Sequence, residues 1–277
     1  MVEKSTTNYK TNYDYSQYED LKKLYSNNIT VSHICEKLMS FNLNDDAMNA
    51  KTFMNTKNYD FAGVEENDVI FGYIESSKIG LGLCKDYSEE FNAKNLITDS
   101  TPIIDIMAIL KDTPVSFILE RNQVKSIVSR ADLQKPPVRM FVFGYINLLE
   151  MNLLHNIHRF YAEDTWKEYL KADRLNDAIN LLSERKARNE DIDLSDCLQL
   201  CDKVELILQK EELMRLYGIE SKTKGRKLFK EVYKLRDKLA HSQDIVTGTS
   251  WPEVIDIVQK VGTLLEKSSE SYFCNVF

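Results

Sequence analysis

No apolar run in the sequence approaches the roughly 20 residues that a membrane span requires. Met1 to Asp20 is polar and holds no apolar stretch of the kind that directs secretion. Both absences point to a soluble, cytoplasmic chain with no membrane partner. Closely paired cysteines are missing as well. Cys35, Cys84, Cys197, Cys201 and Cys274 form an odd set, which fits reduced thiols better than a disulfide framework. The chain also has no positive excess: 36 Lys and Arg stand against 43 Asp and Glu, a formal net charge of -7, which argues against coating nucleic acid through global charge. Gly80-Leu81-Gly82 has neither a dinucleotide-binding layout nor a P-loop Lys-Ser/Thr after it, and no Gly-x-Ser-x-Gly elbow occurs. His155 and His158 lie one helical turn apart and Cys197 and Cys201 stand at i, i+4, but tight Cys-x2-Cys spacing is lacking. Cysteines on a helical face are more often core packing, so no metal and no catalytic cofactor is expected.

What is present suffices for two cores. The chain has 277 residues, 43% of them apolar and 10% aromatic, more than one compact domain usually holds. The composition divides it into a polar, Tyr-rich arm over 1–27, a mixed α/β module over 28–138 and a helical module over 139–277.

The α/β module reads as a tandem repeat. Asp46 to Met54 is predicted helical and Phe61 to Val64 and Val69 to Ile74 are predicted strands, with Glu65-Glu66-Asn67-Asp68 as the turn. Ser100 to Leu110, with Pro102 in its first turn, Val115 to Leu119 and Val124 to Val128 repeat the order around Glu120-Arg121-Asn122-Gln123. A constant shift of 54 residues brings Val64 onto Ile118, Glu66 onto Glu120, Ile70 onto Val124 and Tyr73 onto Ile127 without a gap. Two such units bury faces that neither buries alone.

The second copy leaves its last strand through Ser126-Ile127-Val128-Ser129-Arg130-Ala131-Asp132-Leu133. With this exit the module resembles a cystathionine-β-synthase (CBS) domain pair, of βαββα-type repeats. The resemblance implies an adenine nucleotide as regulatory ligand, with Ser129 binding phosphate and Asp132 the ribose hydroxyls. A helix start offers free N–H groups, a carboxylate accepts two hydrogen bonds from a cis-diol, and Arg130 adds charge. Plain helix capping accounts for the same residue types. In the first copy the shift puts Glu75 and Lys78 at these places, and a carboxylate there repels phosphate, so one site per pair is expected.

After Pro136-Pro137 strand signals vanish, and five amphipathic helices are predicted: Met140 to Phe160, Asp173 to Arg188, Leu194 to Leu216, Lys227 to His241 and Pro252 to Lys267. Between Lys222 and Lys238 stand eight Lys and Arg residues, opposed only by Glu231 and Asp237. Leu228, Val232, Leu235 and Leu239 give this fourth helix its buried stripe, and His241 falls in its last turn. There the helix dipole and Asp237 favour imidazolium, the state of a proton donor. Arg236 and His241 are five residues apart and diverge by about 140° on one helix, so a two-fold dimer is the natural way to converge them.

The segment Leu235-Arg236-Asp237-Lys238-Leu239-Ala240-His241 resembles the Arg-polar-x-His motif of the HEPN superfamily of helical bundles. The resemblance implies a homodimeric, metal-independent endoribonuclease of the microbial toxin or antiviral defence type, acting on RNA. Arg236 would stabilise the phosphorane, His241 would serve as general acid or base, and Asp237 would position them. The expected fold is thus α+β, a CBS-like repeat followed by an all-α HEPN-like bundle. A non-catalytic nucleotide sensor, whose helical half dimerises or docks a partner, is the alternative; an antitoxin-like binder is a third.

Overall fold

The computed structural model describes residues 20, 21, 23, 24 and 28–273, so most of the polar arm, and Cys274, lie outside the described residues. The chain forms two compact units, Lys23–Arg139 and a second containing Met140–Phe277.

The first unit is the repeat. Its strands are β1 (Glu36–Lys37), β2 (Ser40–Asn42), β3 (Phe61–Glu66), β4 (Val69–Glu75), β5 (Glu89–Glu90), β6 (Leu96–Thr98), β7 (Val115–Glu120) and β8 (Gln123–Ser129), with helices α1 (Ala47–Lys57) and α2 (Ile103–Asp112). Asp46 caps α1 by accepting from the Asn49 N–H at 2.8 Å, and Asn58 ends it in the left-handed region at φ 55°. Pro102 is the N-cap of α2, one place before the first turn where the sequence puts it. Each hairpin turns on two positive-φ residues, Asn67-Asp68 and Arg121-Asn122, a tighter turn than the four residues predicted and one that follows the strand twist.

The 54-residue shift holds through both hairpins. Phe61 pairs with Glu75 as Val115 pairs with Ser129, and both ladders slip at the equivalent place, Val64/Glu65 and Ile118/Leu119. Each copy also has a strand parallel to its hairpin, β2 on β3 and β6 on β7, which the sequence reading missed. The leading strands are exchanged: β1 pairs with β8 and β5 pairs with β4, so each copy completes the other's sheet.

One face of the first sheet packs Ala62, Val64 and Ile74 on Ala47, Ala50 and Met54 of α1. The opposite faces of the two sheets meet through Phe61, Ile70, Tyr73, Phe117, Val124 and Ile127. Phe117 is the hub, with ring centroids 4.6 Å from Tyr73 and 4.9 Å from Phe91. Its counterpart is Gly63, where a Cβ would come within 2.9 Å of Ile70 Cγ2, so the seam fits one large residue against one absent side chain.

The second unit is helical: α3 (Pro136–Phe160), whose first four residues belong to the first unit, α4 (Ala172–Lys186), α5 (Leu200–Gln209), α6 (Glu211–Leu216), α7 (Lys222–Ala240) and α8 (Trp251–Phe273). Pro136 and Pro137 open α3, since the first turn needs no N–H from them. The predicted helix Leu194 to Leu216 is broken into a 3-10 turn (Leu194–Cys197), α5 and α6. Lys210, extended at φ -106° and ψ 125°, separates α5 from α6. Its ammonium donates to the Phe160 carbonyl and lies 4.2 Å from the Tyr161 ring centroid, a tertiary anchor that outweighs helix continuation. On α7 the buried residues are Gly225, Phe229, Val232, Leu235 and Leu239; Leu228, placed in the stripe by its spacing, is only half-buried at its edge. No helix among the described residues is long and apolar enough to cross a membrane.

Candidate functional site

Strand β8 ends at Ser129, and the 3-10 turn Arg130–Gln134 follows. Asp132 folds back on this start: its Oδ2 accepts from the Ser129 backbone N–H at 2.7 Å and from Ser129 Oγ at 3.0 Å. Its Oδ1 pairs with Lys135 Nζ at 2.7 Å. An ionised carboxylate has about four acceptor directions. Three are thus used in a buried residue whose side chain is 11% exposed. Arg130 points elsewhere: Nε and Nη2 donate to the carbonyls of Leu110 and Lys111 at 2.7 and 2.8 Å, closing the end of α2. Ser129 and Asp132 thus cap the turn together, and Arg130 closes the end of α2 instead.

Lys135 is the residue that motif reasoning overlooked. Besides Asp132 it reaches Glu36 Oε1 at 3.0 Å and the Ile34 carbonyl at 2.5 Å, tying the exchanged strand β1 to the turn. Burial works to lower its pKa, but the bonds to Asp132 and Glu36 outweigh this and hold it above the ordinary lysine value. The i, i+3 spacing from Asp132 was a signal; Glu36, 99 residues away, gave none.

The equivalent place in the first copy is filled by a different network. Lys78 Nζ bridges Glu75 at 2.9 Å and Glu89 of the exchanged strand β5 at 2.7 Å, and Tyr73 Oη donates to Glu89 at 2.9 Å. Lys78 hydrogen bonds hold Glu89 below the usual carboxylate range; Ser77 and Lys78 do the same for Glu75. Both copies thus use a lysine after the hairpin to hold a glutamate on the other copy's leading strand, but only the second keeps the Ser-x-x-Asp turn.

In the helical unit Arg236 and His241 sit on the last turn and the C-cap of α7. His241 keeps the helical register through its N–H to the Asp237 carbonyl at 3.0 Å, and its side chain is exposed. Arg236 lies at the edge of the buried face. Its Nε is buried without a hydrogen-bond partner among the described residues, whereas Nη1 comes 3.8 Å from Asp237, a loose ion pair. Within one chain Arg236 and His241 are not brought together by α7. The eight basic residues of the window divide by their contacts. Lys222 donates to Gln209, Lys224 pairs with Glu220, Arg226 pairs with Glu205 through two bonds, and Lys238 donates to the Ile245 and Thr247 carbonyls. A groove of about 590 Å³ runs beside them between α7 and α8, with Leu235 and Ile257 in its floor and Lys234 and Lys260 on its walls.

The pair His155 and His158 faces the interior, and burial lowers both pKa values. His158 Nε2 lies 2.8 Å from Ser195 Oγ. Among the described residues no group of three or more His, Cys, Asp and Glu side chains is placed to hold a metal.

No protein-family model matches the chain, and no curated protein matches it. Solved structures do match its N-terminal part, and they are CBS-domain proteins. A CBS-pair protein from Arabidopsis thaliana is 13% identical over 40% of this chain and 95% of its own, with a TM-score of 0.35. A CBS domain-containing protein of unknown function from Bacillus anthracis is 11% identical over 40% and 94%, with a TM-score of 0.36. The CBS domain of a bacterial CNNM/CorC family Mg2+ transporter, solved in complex with ATP, is 11% identical over 42% and 94%, with a TM-score of 0.34.

Proposed function

We propose that the Lys23–Arg139 unit is a CBS-like pair that binds one adenine nucleotide at the Ser129–Asp132 turn, and that it regulates RNA cleavage by the helical unit. The observation that carries the first half is the asymmetry of the two copies. Their hairpins share one register, yet the Glu75/Lys78/Glu89 network fills one of the equivalent places and the Ser129/Asp132 turn the other. The turn offers the Ser129 hydroxyl to a phosphate and the remaining acceptor direction of Asp132 to a ribose hydroxyl, while the network sets two carboxylates around one lysine. Titrating AMP and ATP into the full chain by calorimetry checks this. Wild type and Lys78→Ala bind alike, and Asp132→Ala binds at least tenfold more weakly. Because Asp132 also holds Ser129 and Lys135, Ser129→Ala, which keeps the carboxylate, is titrated beside it. Undiminished affinity in both variants contradicts the assignment.

For the helical unit we propose metal-independent, HEPN-type endonucleolytic cleavage by a homodimer. The ribose 2′-oxygen attacks the adjacent phosphorus, the 5′-oxygen of the next nucleotide leaves with a proton, and a 2′,3′-cyclic phosphate remains. His241 moves the proton, Arg236 holds the charge on the phosphorane, and Asp237 positions Arg236. What supports this is that α7 carries both groups, an exposed imidazole at its end and, one turn earlier, a guanidinium only loosely held by Asp237 at 3.8 Å. Incubation with total RNA in the presence of chelator is the test. Arg236→Ala and His241→Ala each slow cleavage by about 10²-fold or more. Equal rates in both variants and wild type leave the non-catalytic sensor as the reading, which the divergence of the two side chains on α7 also favours.

A further inference from the structure

Three lysines of the basic window, Lys227, Lys230 and Lys234, are exposed, and their ammonium groups take no part in the bonds that occupy Lys222, Lys224, Arg226 and Lys238. At about 100° per residue these three fall within an arc of about 60° on α7, and His241, kept in register by its N–H bond to Asp237, extends the same arc. The stripe from Lys227 to His241 is about 21 Å long. Arg236 lies about 140° from His241, outside the arc. On a chain of net charge -7 this line of uncommitted cations is a local exception.

Beside the stripe lie two cavities whose linings share Glu231 and Lys260; Lys227 borders one and Lys234 the 590 Å³ groove between α7 and α8. Leu228 lines the first, while Leu235 and Ile257 in the second are buried and leave little apolar surface open. The carboxylates of the two linings are Glu220, Glu231, Glu253 and Asp256. The charge of Glu220 is offset by Lys224, whereas the Thr249 and Ser250 donors keep Glu253 ionised, and the lysines of the stripe are the groups open to an anion. An extended polyanion matches the stripe, with its successive phosphates along Lys227, Lys230 and Lys234.

We infer that Lys227, Lys230 and Lys234 form a backbone track for single-stranded RNA that leads along α7 to His241. The inference rests on the ribonuclease reading for what happens at the end of the track, but the track is a binding surface and is measured as one. Each phosphate contact to a single strand contributes about 0.7 to the slope of log affinity against log salt. Loss of three contacts lowers that slope by about 2.

The test uses the full chain and a fluorescent 2′-O-methyl oligoribonucleotide, which binds but lacks the attacking hydroxyl, with anisotropy read over a salt series. Lys227→Gln/Lys230→Gln/Lys234→Gln binds more weakly with the slope reduced by about 2, whereas Lys222→Gln/Arg226→Gln, whose groups are already tied, matches wild type. An unchanged slope in the triple variant, equal losses in both variants, or no binding by wild type overturns the track. Wild type that binds through the lysines yet leaves total RNA uncut keeps the track and removes the nuclease. Cutting that survives with unaltered binding in the triple variant does the reverse.

Discussion

Ser116 is fully buried in β7, and its hydroxyl has no hydrogen-bond partner among the described residues. Successive strand residues point to opposite faces, so if Phe117 fills the seam between the sheets, Ser116 and Ile118 face away from it. The 54-residue register makes Ser116 the counterpart of Ala62 in the first copy, which packs on α1. An unmet buried hydroxyl costs roughly 1–3 kcal/mol, whereas one missing oxygen leaves little void. Ser116→Ala is therefore expected to stabilise the chain by about 1 kcal/mol, read as a higher urea midpoint with an unchanged slope. A lower midpoint would mean that the hydroxyl has a role in the fold that its surroundings do not reveal. The contact between Ser129 and Asp132 was legible because a capping motif is local. Lys135 and Glu36 were not, because their meeting depends on a strand exchanged over 99 residues.

Elements were legible to the extent that their causes are local. The two hairpins carry period-two alternation and turn residues within a dozen positions, so their boundaries were read to within two residues. Strands β1, β2, β5 and β6 have two or three residues each and no period of their own; they exist because a distant hairpin offers them an edge. The break between α5 and α6 has the same origin, since Lys210 is anchored by a carbonyl 50 residues earlier. Gly225, in the second turn of α7, is a further case. Helix propensity disfavours glycine by about 1 kcal/mol relative to alanine, yet a Cβ here would come within 2.5 Å of Leu208 Cδ2 and 3.0 Å of Ile219 Cγ2. Leu208 is fully buried on α5, so it has little room to retreat. Gly225→Val is expected to destabilise the helical unit by about 1–3 kcal/mol through overpacking. Gly248→Ala is the contrasting variant: its Cβ would meet nothing within 4 Å, but φ of 73° strains any side chain there. A larger loss at Gly248 than at Gly225 would show that backbone conformation, not the α5–α7 approach, limits this unit.

At the scale of the whole molecule the proposed chemistry needs more than one chain. Arg236 lies at the edge of the buried face of α7 with its Nε enclosed, and His241 is exposed about 140° around the helix, so a single protomer presents the two groups to different surroundings. A two-fold interface that sets α7 against its twin brings Arg236 of each protomer toward His241 of the other. Mixing Arg236→Ala chains with His241→Ala chains separates the geometries. If each centre draws arginine from one chain and histidine from the other, a mixed dimer has one centre with both groups and one with neither. Half of the centres in such dimers cut RNA, although neither parent does. If each centre uses both groups of one chain, every centre is broken and the mixture stays inactive. Dilution gives an independent reading, because a shared centre loses specific activity as protomers part. Constant specific activity from a chain shown to be monomeric at the assay concentration would exclude the shared centre. It would then require α7 to unwind before Ala240, carrying His241 around to the side on which Arg236 lies.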